Sequence, residues 1–235
     1  MREASGRTRA RGLRRIVNLI LLLPVIGLVL LLSLALVYSA LTPPSTLMLG
    51  RWLTLHSVDR QAVGLEAISP YLVQAVIASE DQRYCLHNGV DWGALRDVVD
   101  DEEGPSRGAS TIPMQTVKNV FLWPSRDWVR KGLEAGYTVL IETVWSKRRI
   151  MEVYLNVVEW APGVYGAQAA SRHWFGKDAR DLSPREAARL AAILPAPRRY
   201  EAAAPGPYVR RRAARVQAAM GAVRNEGLNT CVVGR

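Results

Sequence analysis

Residues 78–91 have the sequence ASEDQRYCLHNGVD, which places two adjacent carboxylates, Glu80 and Asp81, at the end of a predicted helix. Ser69 is a suitable N-cap, Pro70 suits the first helical position, and apolar residues follow at helical spacing. We therefore predict a helix from residue 70 to about residue 82. A carboxylate at a helix C-terminus faces the negative end of the helix dipole, which suits a general base. Ordinary solvated residues at a helix end are the alternative interpretation.

An uncharged apolar segment, residues 16–38, lies well before this helix. It is long enough to cross a hydrocarbon core of about 30 Å and longer than a signal-peptide core of about 7–15 residues. We expect an uncleaved transmembrane signal anchor. The residues before it form a basic tail, and the positive-inside tendency keeps such a tail in the cytoplasm and the rest of the chain outside. The arginines of this tail are Arg2, Arg7, Arg9, Arg11, Arg14 and Arg15.

The formal net charge is +10, to which residues 1–15 contribute +5 from six Arg and one Glu. The anchor carries no charge, so the exported part carries the remaining +5. This charge suits anionic headgroups or phosphate-bearing lipids, or it serves only solubility. A nucleic-acid tail is the weaker explanation of the arginines, because the adjacent membrane span already accounts for them, and no nucleic-acid partner is expected.

The cysteine and histidine content indicates no zinc site, because there is no CxxC pair and the three His residues are scattered. Cys85 and Cys231 both follow the anchor, where an oxidising compartment permits a disulfide between them. We expect a membrane-proximal linker at residues 39–54, with a short strand near residues 51–55. A mainly helical domain then follows from residue 55 to residue 235.

Two further helices carry polar faces. A helix that begins near Ile112 or Pro113 places Gln115, Lys118 and Asn119 on one side, which should line water or a polar ligand unless it is simply exposed.

The next predicted helix, residues 126–145, sets Glu134 three and four residues after two cations, Lys131 and Arg130. Intrahelical salt bridges are the simplest explanation of this group. Its apolar stripe is expected to face the core and consists of Val129, Leu133, Tyr137, Leu140, Ile141 and Val144.

Four motifs in order resemble those of the peptidoglycan glycosyltransferase family, the lysozyme-like module of bifunctional penicillin-binding proteins. The resemblance covers about residues 55–202. The matching residues are Glu80, Asp81, Tyr84, His87, Gly89 and Asp91; Gly108, Ser110, Thr111, Ile112, Gln115, Lys118 and Asn119; Arg130, Lys131 and Glu134; and Lys147, Ile150, Glu152, Tyr154, Leu155 and Asn156. Tyr84 stands where Phe is usual, and Pro113 and Met114 depart from the second motif.

The resemblance implies a lysozyme-like, two-lobed helical domain that polymerises lipid II into linear β-1,4 glycan strands with inversion. It implies that Glu80 is the general base and that Glu134 supports the leaving pyrophosphate. The residues expected to bind substrate are Ser110, Gln115, Lys118, Asn119, Arg126, Arg130 and Lys131. No transpeptidase domain follows, so the monofunctional biosynthetic type is expected.

The resemblance also implies partners: lipid II, the growing glycan chain, membrane lipids, and cell-wall-synthesis or division proteins. No obligatory cofactor is expected, although Mg²⁺ or another divalent cation suits a carboxylate beside phosphate groups. Two alternatives stay open at this point. One is a lytic muramidase with paired carboxylates, and the other is a non-catalytic scaffold for cell-wall synthesis.

Overall fold

The computed structural model of the chain describes residues 3–99, 110–125 and 127–234. The chain divides into two compact units, Met1–Leu41 and Thr42–Arg235. The first unit is a single helix, α1 (Glu3–Ala40), which continues through Pro24. Among the described residues, Ile20–Ala40 is long and apolar enough to cross a membrane, with a hydropathy of 3.0. The expected anchor therefore falls within a continuous helix.

The described residues of the second unit are mainly helical, with one small sheet. Its helices are α2 (Thr46–Leu53), α3 (Pro70–Glu80), α4 (Trp92–Val99), α5 (Ile112–Phe121), α6 (Trp128–Val144), α7 (Lys147–Val157), α8 (Ala167–Phe175), α9 (Pro184–Ile193), α10 (Pro207–Asn225) and α11 (Thr230–Val233). Its strands are β1 (Asp59–Arg60), β2 (Glu159–Ala161) and β3 (Val164–Tyr165). The sheet order is β1-β3-β2, with β3 parallel to β1 and antiparallel to β2.

Helix α3 is the central helix of this unit. Every residue from Leu72 to Ala78 is buried, so the helix has no water-facing side over two turns. Helices α9 and α10 pack against it, while α5 packs against α6 and α7. The last residue of α3 is Glu80, so this buried helix carries the candidate base on its exit from the core.

Two residues of the fourth motif stabilise the fold. Asn156 is fully buried, and its side chain bonds both backbone groups of Val63, each at 2.9 Å. Glu152 accepts from the Leu65 amide at 3.2 Å and pairs with Arg149. These side chains satisfy backbone groups of the segment that precedes α3, which fixes the entry into the central helix.

The predicted start of α5 is confirmed by its cap. Thr111 accepts from the Met114 amide at the start of α5, with Pro113 in its first turn. Ser183 and Glu186 form a capping box at the start of α9. Ser69 occupies the N-cap position of α3, but its hydroxyl donates to the Leu182 carbonyl at 2.9 Å instead of capping the helix.

The predicted strand near residues 51–55 is wrong. Residues 46–53 form α2, because the Ser45 hydroxyl accepts from the Met48 amide and starts a helix there. The Thr54 hydroxyl then donates to the carbonyls of Gly50 and Arg51 at the helix end. A five-residue apolar pattern is too short to distinguish a strand from the last turns of a helix.

The predicted core face of α6 is wrong in the first half of the helix. Val129 is 72% exposed and Leu133 is 49% exposed, whereas Arg130 and Glu134 are buried. The buried face of this half is therefore rotated by one residue, about 100°, from the predicted stripe. From Tyr137 onwards the prediction holds, since Tyr137 and Ile141 are both buried. Helix α6 thus turns charged side chains inward.

A disulfide joins Cys85, in the loop after α3, to Cys231 in α11. The two Cα atoms are 5.6 Å apart across a sequence separation of 146 residues. The hypothesis that these cysteines pair is confirmed. The bridge ties the C-terminal segment to the loop that contains His87, and Arg148 adds a 2.8 Å bond to the Val232 carbonyl beside it.

Removing this bridge should destabilise the second unit. In the chain-entropy model, a loop of this length contributes about 4–5 kcal/mol to the free energy of unfolding. We expect the double variant Cys85→Ser, Cys231→Ser to lose most of this free energy, as measured by urea unfolding of the detergent-extracted protein. Wild type under reducing conditions should have the same free energy of unfolding as the variant. Two free thiols in the non-reduced, membrane-extracted protein would contradict the pairing.

Candidate active site

The carboxylate of Glu80 is held by donors from separate parts of the fold. Its Oε1 accepts from the Ser79 hydroxyl at 2.8 Å and from Arg212 Nη2 at 3.3 Å. Its Oε2 accepts from Gln115 Nε2 at 3.2 Å. The side chain remains 13% exposed, so the carboxylate is fixed and still reaches solvent. A carboxylate in this state is suited to take a proton from a bound hydroxyl.

Asp81, the neighbouring carboxylate, has a different role. Its two oxygens lie 3.0 and 3.1 Å from His87 Nε2, and Oδ2 also accepts from the Ile112 amide at 3.0 Å. The side chains of Asp81 and His87 are nearly inaccessible to solvent. Asp81 therefore connects the end of α3 to the start of α5 and to His87 in the loop after α3. Of the acidic pair, Glu80 is the member available for chemistry.

Gln115 connects the base to a buried tyrosine. The Tyr154 hydroxyl donates to Gln115 Oε1 at 3.2 Å, which leaves the Gln115 amide nitrogen to face Glu80. Burial, together with the negative charges of Glu80 and Asp81, raises the pKa of Tyr154 well above its ordinary value, so its hydroxyl stays protonated. This chain of bonds fixes the orientation of the amide, and with it one side of the carboxylate.

The first motif supplies packing around this chain. Tyr84 is fully buried, and its hydroxyl donates to the Lys147 carbonyl at 2.7 Å, so the Tyr in place of Phe has a partner. Gly89 adopts a φ of +85°, and a Cβ there would lie 2.8 Å from Thr138 Cγ2. Its carbonyl accepts from the Thr111 hydroxyl. Glycine at this position lets the loop pack against α6 while holding the cap of α5.

A buried cation–carboxylate cluster lies on α6. Glu134 is only 2% exposed; its Oε2 accepts from Arg130 Nη1, and its Oε1 accepts from Lys131 Nζ at 2.7 Å. Lys131 also donates to the Ser110 hydroxyl at 2.9 Å and is 37% exposed. Arg130 is nearly enclosed, and its Nε is buried without a partner. The intrahelical pairing foreseen from the sequence is present, but it is buried and points into the unit.

Lys118 links this cluster electrostatically to Glu80, the candidate base. Burial lowers the pKa of Lys118 from its ordinary value, as do the nearby charges of Arg130 and Lys131, while the charges of Glu134 and Glu80 raise it. The Lys118 ammonium group thus interacts electrostatically with the carboxylates of both Glu134 and Glu80. Along α5, Gln115, Lys118 and Asn119 are half-buried while their helical neighbours are buried, as expected for a shared polar face.

The remaining predicted binding residues are placed as follows. Ser110 lies beside Lys131 through the bond above. The Asn119 backbone carbonyl accepts from the Thr46 hydroxyl at 3.3 Å, which joins α5 to α2. Arg126 and Gly108 lie outside the described residues. Met114 is buried, so the departure from the second motif affects the core and not this polar face.

Arg212 of α10 was missed by the sequence analysis as a site residue. In the structure its guanidinium contacts both Glu80 and Ser79. The available signal was its spacing, since it stands four residues before the buried Val216 and thus on the side of α10 that faces the core.

Known proteins are similar to this chain in sequence. A family model described as Transglycosylase matches residues 48–221. A protein of Rhodospirillum centenum, named biosynthetic peptidoglycan transglycosylase, is 52% identical over 212 residues, 88% of this chain and 92% of the relative. Relatives of the same name from Caulobacter vibrioides and Rhizobium meliloti are 45% and 47% identical; the alignments cover 97% and 96% of this chain and 99% and 94% of the relatives. The chain belongs to the transglycosylase family.

This membership confirms the family expected from the motifs, the mainly helical lysozyme-like class, and an enzyme that transfers glycosyl groups. The roles of individual residues stay predictions. The described residues contain no group of three or more His, Cys, Asp or Glu side chains placed to hold a metal ion. Both oxygens of Glu134 already accept from cations, so this carboxylate does not fit a metal ligand, and we derive no step through Mg²⁺.

Replacing Glu134 should destabilise the fold as well as the site. Glu134→Gln leaves Arg130 buried without its counter-ion, so we expect a loss of about 3 kcal/mol in the free energy of unfolding, measured in urea. Glu66→Gln is the matched control, because Glu66 pairs with Arg148 at an exposed site and should show no measurable change. Equal stability of the two variants would show that the buried cluster is not a structural unit.

Proposed function

We propose that the chain polymerises lipid II into linear β-1,4 glycan strands of peptidoglycan, with Glu80 as the general base. The observation that carries the proposal is the arrangement of the Glu80 carboxylate. It is fixed by three donors, is still open to solvent, and interacts electrostatically with the Lys118 ammonium group. The names of the relatives support peptidoglycan as the product. Lipid II as the substrate rests on the motif resemblance.

The proposed step is an inverting glycosyl transfer. Glu80 takes the proton of the acceptor 4-hydroxyl as that oxygen attacks the anomeric carbon of the membrane-held chain. The bond from that carbon to the pyrophosphate oxygen breaks, and polyprenyl pyrophosphate leaves with the bonding electrons. A positioned base and fixed cations near the developing charge are what such a step requires.

The cations near the site divide into two groups by exposure. Lys131 is partly exposed and Lys118 is half-buried, so these two ammonium groups are suited to meet a pyrophosphate. Arg130 is enclosed and committed to Glu134, so its proposed role is to fix the cluster. Glu134 in turn orients Lys131, which also bonds Ser110. Ser110, Asn119 and Arg126 are proposed as further substrate contacts.

Replacing Glu80 by Gln tests the proposal. Glu80→Gln should lower the rate of lipid II polymerisation by a factor of about 10² or more, because the amide does not accept a proton. Binding of lipid II should persist, since the cations remain. Glu66→Gln should polymerise like wild type. Product is measured on gels before and after lysozyme digestion, with preformed glycan strands as a second substrate.

Three outcomes of that experiment would contradict the proposal. Normal polymerisation by Glu80→Gln would remove Glu80 as the base. Shortening of glycan strands by wild type, with lipid II untouched, would favour the muramidase alternative. A wild type that binds lipid II without turnover would favour the scaffold. The relatives named biosynthetic make the transferase the better-supported of the three.

We further propose that the exported unit lies at the outer face of the bacterial inner membrane, with the N-terminus in the cytoplasm. The Cys85–Cys231 disulfide supports an oxidising compartment such as the periplasm. Helix α2 begins six residues after α1 ends, and large apolar side chains are exposed along it and just after it. They are Leu49, Trp52, Leu53 and Leu55. Membrane lipids are therefore proposed as partners, together with cell-wall-synthesis or division proteins, which rest on the resemblance alone.

A reporter fusion tests this topology. A reporter active only outside the cytoplasm, fused after residue 235, should give signal, because the arginines before the anchor favour the cytoplasmic side. The same reporter fused before residue 1 is the control and should stay silent. The reverse pattern on stable fusions would overturn the orientation.

A further inference from the structure

Glu80 is paired with a cation that lies 132 residues further along the chain. Arg212 Nη2 is 3.3 Å from Glu80 Oε1 and 3.3 Å from the Ser79 hydroxyl oxygen. The Arg212 side chain is 23% exposed and the Glu80 side chain 13% exposed. Since both partners are mostly removed from water, this pair is screened less than an exposed ion pair.

Helix α10 holds Arg212 in place. The helix packs against α3 and α9 through a buried apolar stripe of Val209, Ala213, Val216, Met220 and Val223. Arg212 precedes the buried Ala213 and lies one turn before Val216, whereas Arg211 and Arg215 are exposed. The guanidinium therefore extends from a packed helix towards the end of α3. Its Nη2 contacts both Glu80 and Ser79, while its Nε is buried without a partner.

We propose that Arg212 is a positioning residue that holds the Glu80 carboxylate correctly oriented for proton transfer. The inference rests on the proposed function, in which Glu80 is the base. A carboxylate has about four acceptor positions, and donors from Ser79, Gln115 and Arg212 occupy three of them. One position is then left for the acceptor hydroxyl. Without Arg212, Oε1 keeps the Ser79 hydroxyl as a donor but loses its cationic donor, which weakens the directional constraint on the carboxylate.

The charges around Glu80 explain why a cation is needed there. Asp81 follows it directly, and the C-terminal end of α3 presents a negative dipole, so both disfavour a second negative charge. The positive charges that act on it come from Arg212 on α10 and Lys118 on α5, and the buried Tyr154 hydroxyl of α7 faces it through Gln115. Without Arg212, one of these positive charges is lost, so we expect the acidic limb of the pH–rate profile to move to higher pH.

A purely structural ion pair gives a different expectation. If Arg212 only fastened α10 to α3, its loss would lower the melting temperature and the amount of folded enzyme. The folded fraction would keep its turnover number and its pH dependence. The position of the acidic limb of the pH–rate profile therefore separates the two roles.

The test compares Arg212→Gln, Arg212→Lys and the control Arg211→Gln, each as the full chain in detergent with lipid II. Initial rates across pH give kcat and KM, and thermal melting gives the folded fraction. We expect Arg212→Gln to lose about tenfold to 100-fold in kcat, as for a misplaced catalytic group, with KM little changed. Its acidic limb should move to higher pH. Arg212→Lys should return the limb towards wild type with partial recovery of kcat, and Arg211→Gln should match wild type.

Three results would overturn the inference. One is an Arg212→Gln variant whose rate and acidic limb match those of Arg211→Gln. Another is a rate that falls only in proportion to the folded fraction, with the limb unmoved. The third is normal polymerisation by Glu80→Gln, which would show that Glu80 is not the base. This failure of the proposed function is distinguishable from a failure of the positioning role, because the Glu80→Gln variant keeps Arg212. With Glu80→Gln inactive and Arg212→Gln unaffected, the proposed function stands and the positioning role is wrong.

Discussion

The junction made by Asp81 is the constraint on which the candidate site depends. This buried carboxylate lies against His87 and accepts from the Ile112 amide, so it joins the end of α3 to the start of α5. Because α5 starts at that point, Gln115 lies one turn further along and faces Glu80. An enclosed charge is costly unless its oxygens are satisfied, and here they are. Of the acidic pair, Asp81 thus holds the elements of the site together, and Glu80 remains accessible within it.

The residues of the four motifs likewise fall into two groups, those that support the fold and those placed for chemistry. Asn156 and Glu152 satisfy backbone groups before α3, and Gly89 and Thr111 lock the loop onto α5. These contacts explain why so many polar residues are buried in a small unit without being substrate ligands. Glu80, Lys118 and Lys131 keep some exposure, and the proposed function assigns contact with substrate to all three.

The helices and most of the site were predictable because caps and motif spacing are local signals. The failures share a physical cause. Apolar periodicity showed that α6 has a core-facing side, but Arg130 and Glu134 are buried beside Lys118, and only tertiary packing decides which face turns inward. Arg212 was missed for a similar reason, because its partner Glu80 is distant in sequence and an arginine beside an apolar stripe is usually solvated.

The central claim is that Glu80 meets the acceptor hydroxyl while the cations of α5 and α6 meet the pyrophosphate. An experimental structure of Glu80→Gln with lipid II bound tests it most directly, since this variant should bind without turnover. The account predicts the acceptor 4-hydroxyl oxygen within about 2.6–3.2 Å of the residue 80 side chain. It also predicts the donor pyrophosphate against Lys118 and Lys131. An acceptor hydroxyl out of reach of residue 80, or a pyrophosphate bound away from both lysines, would contradict the account.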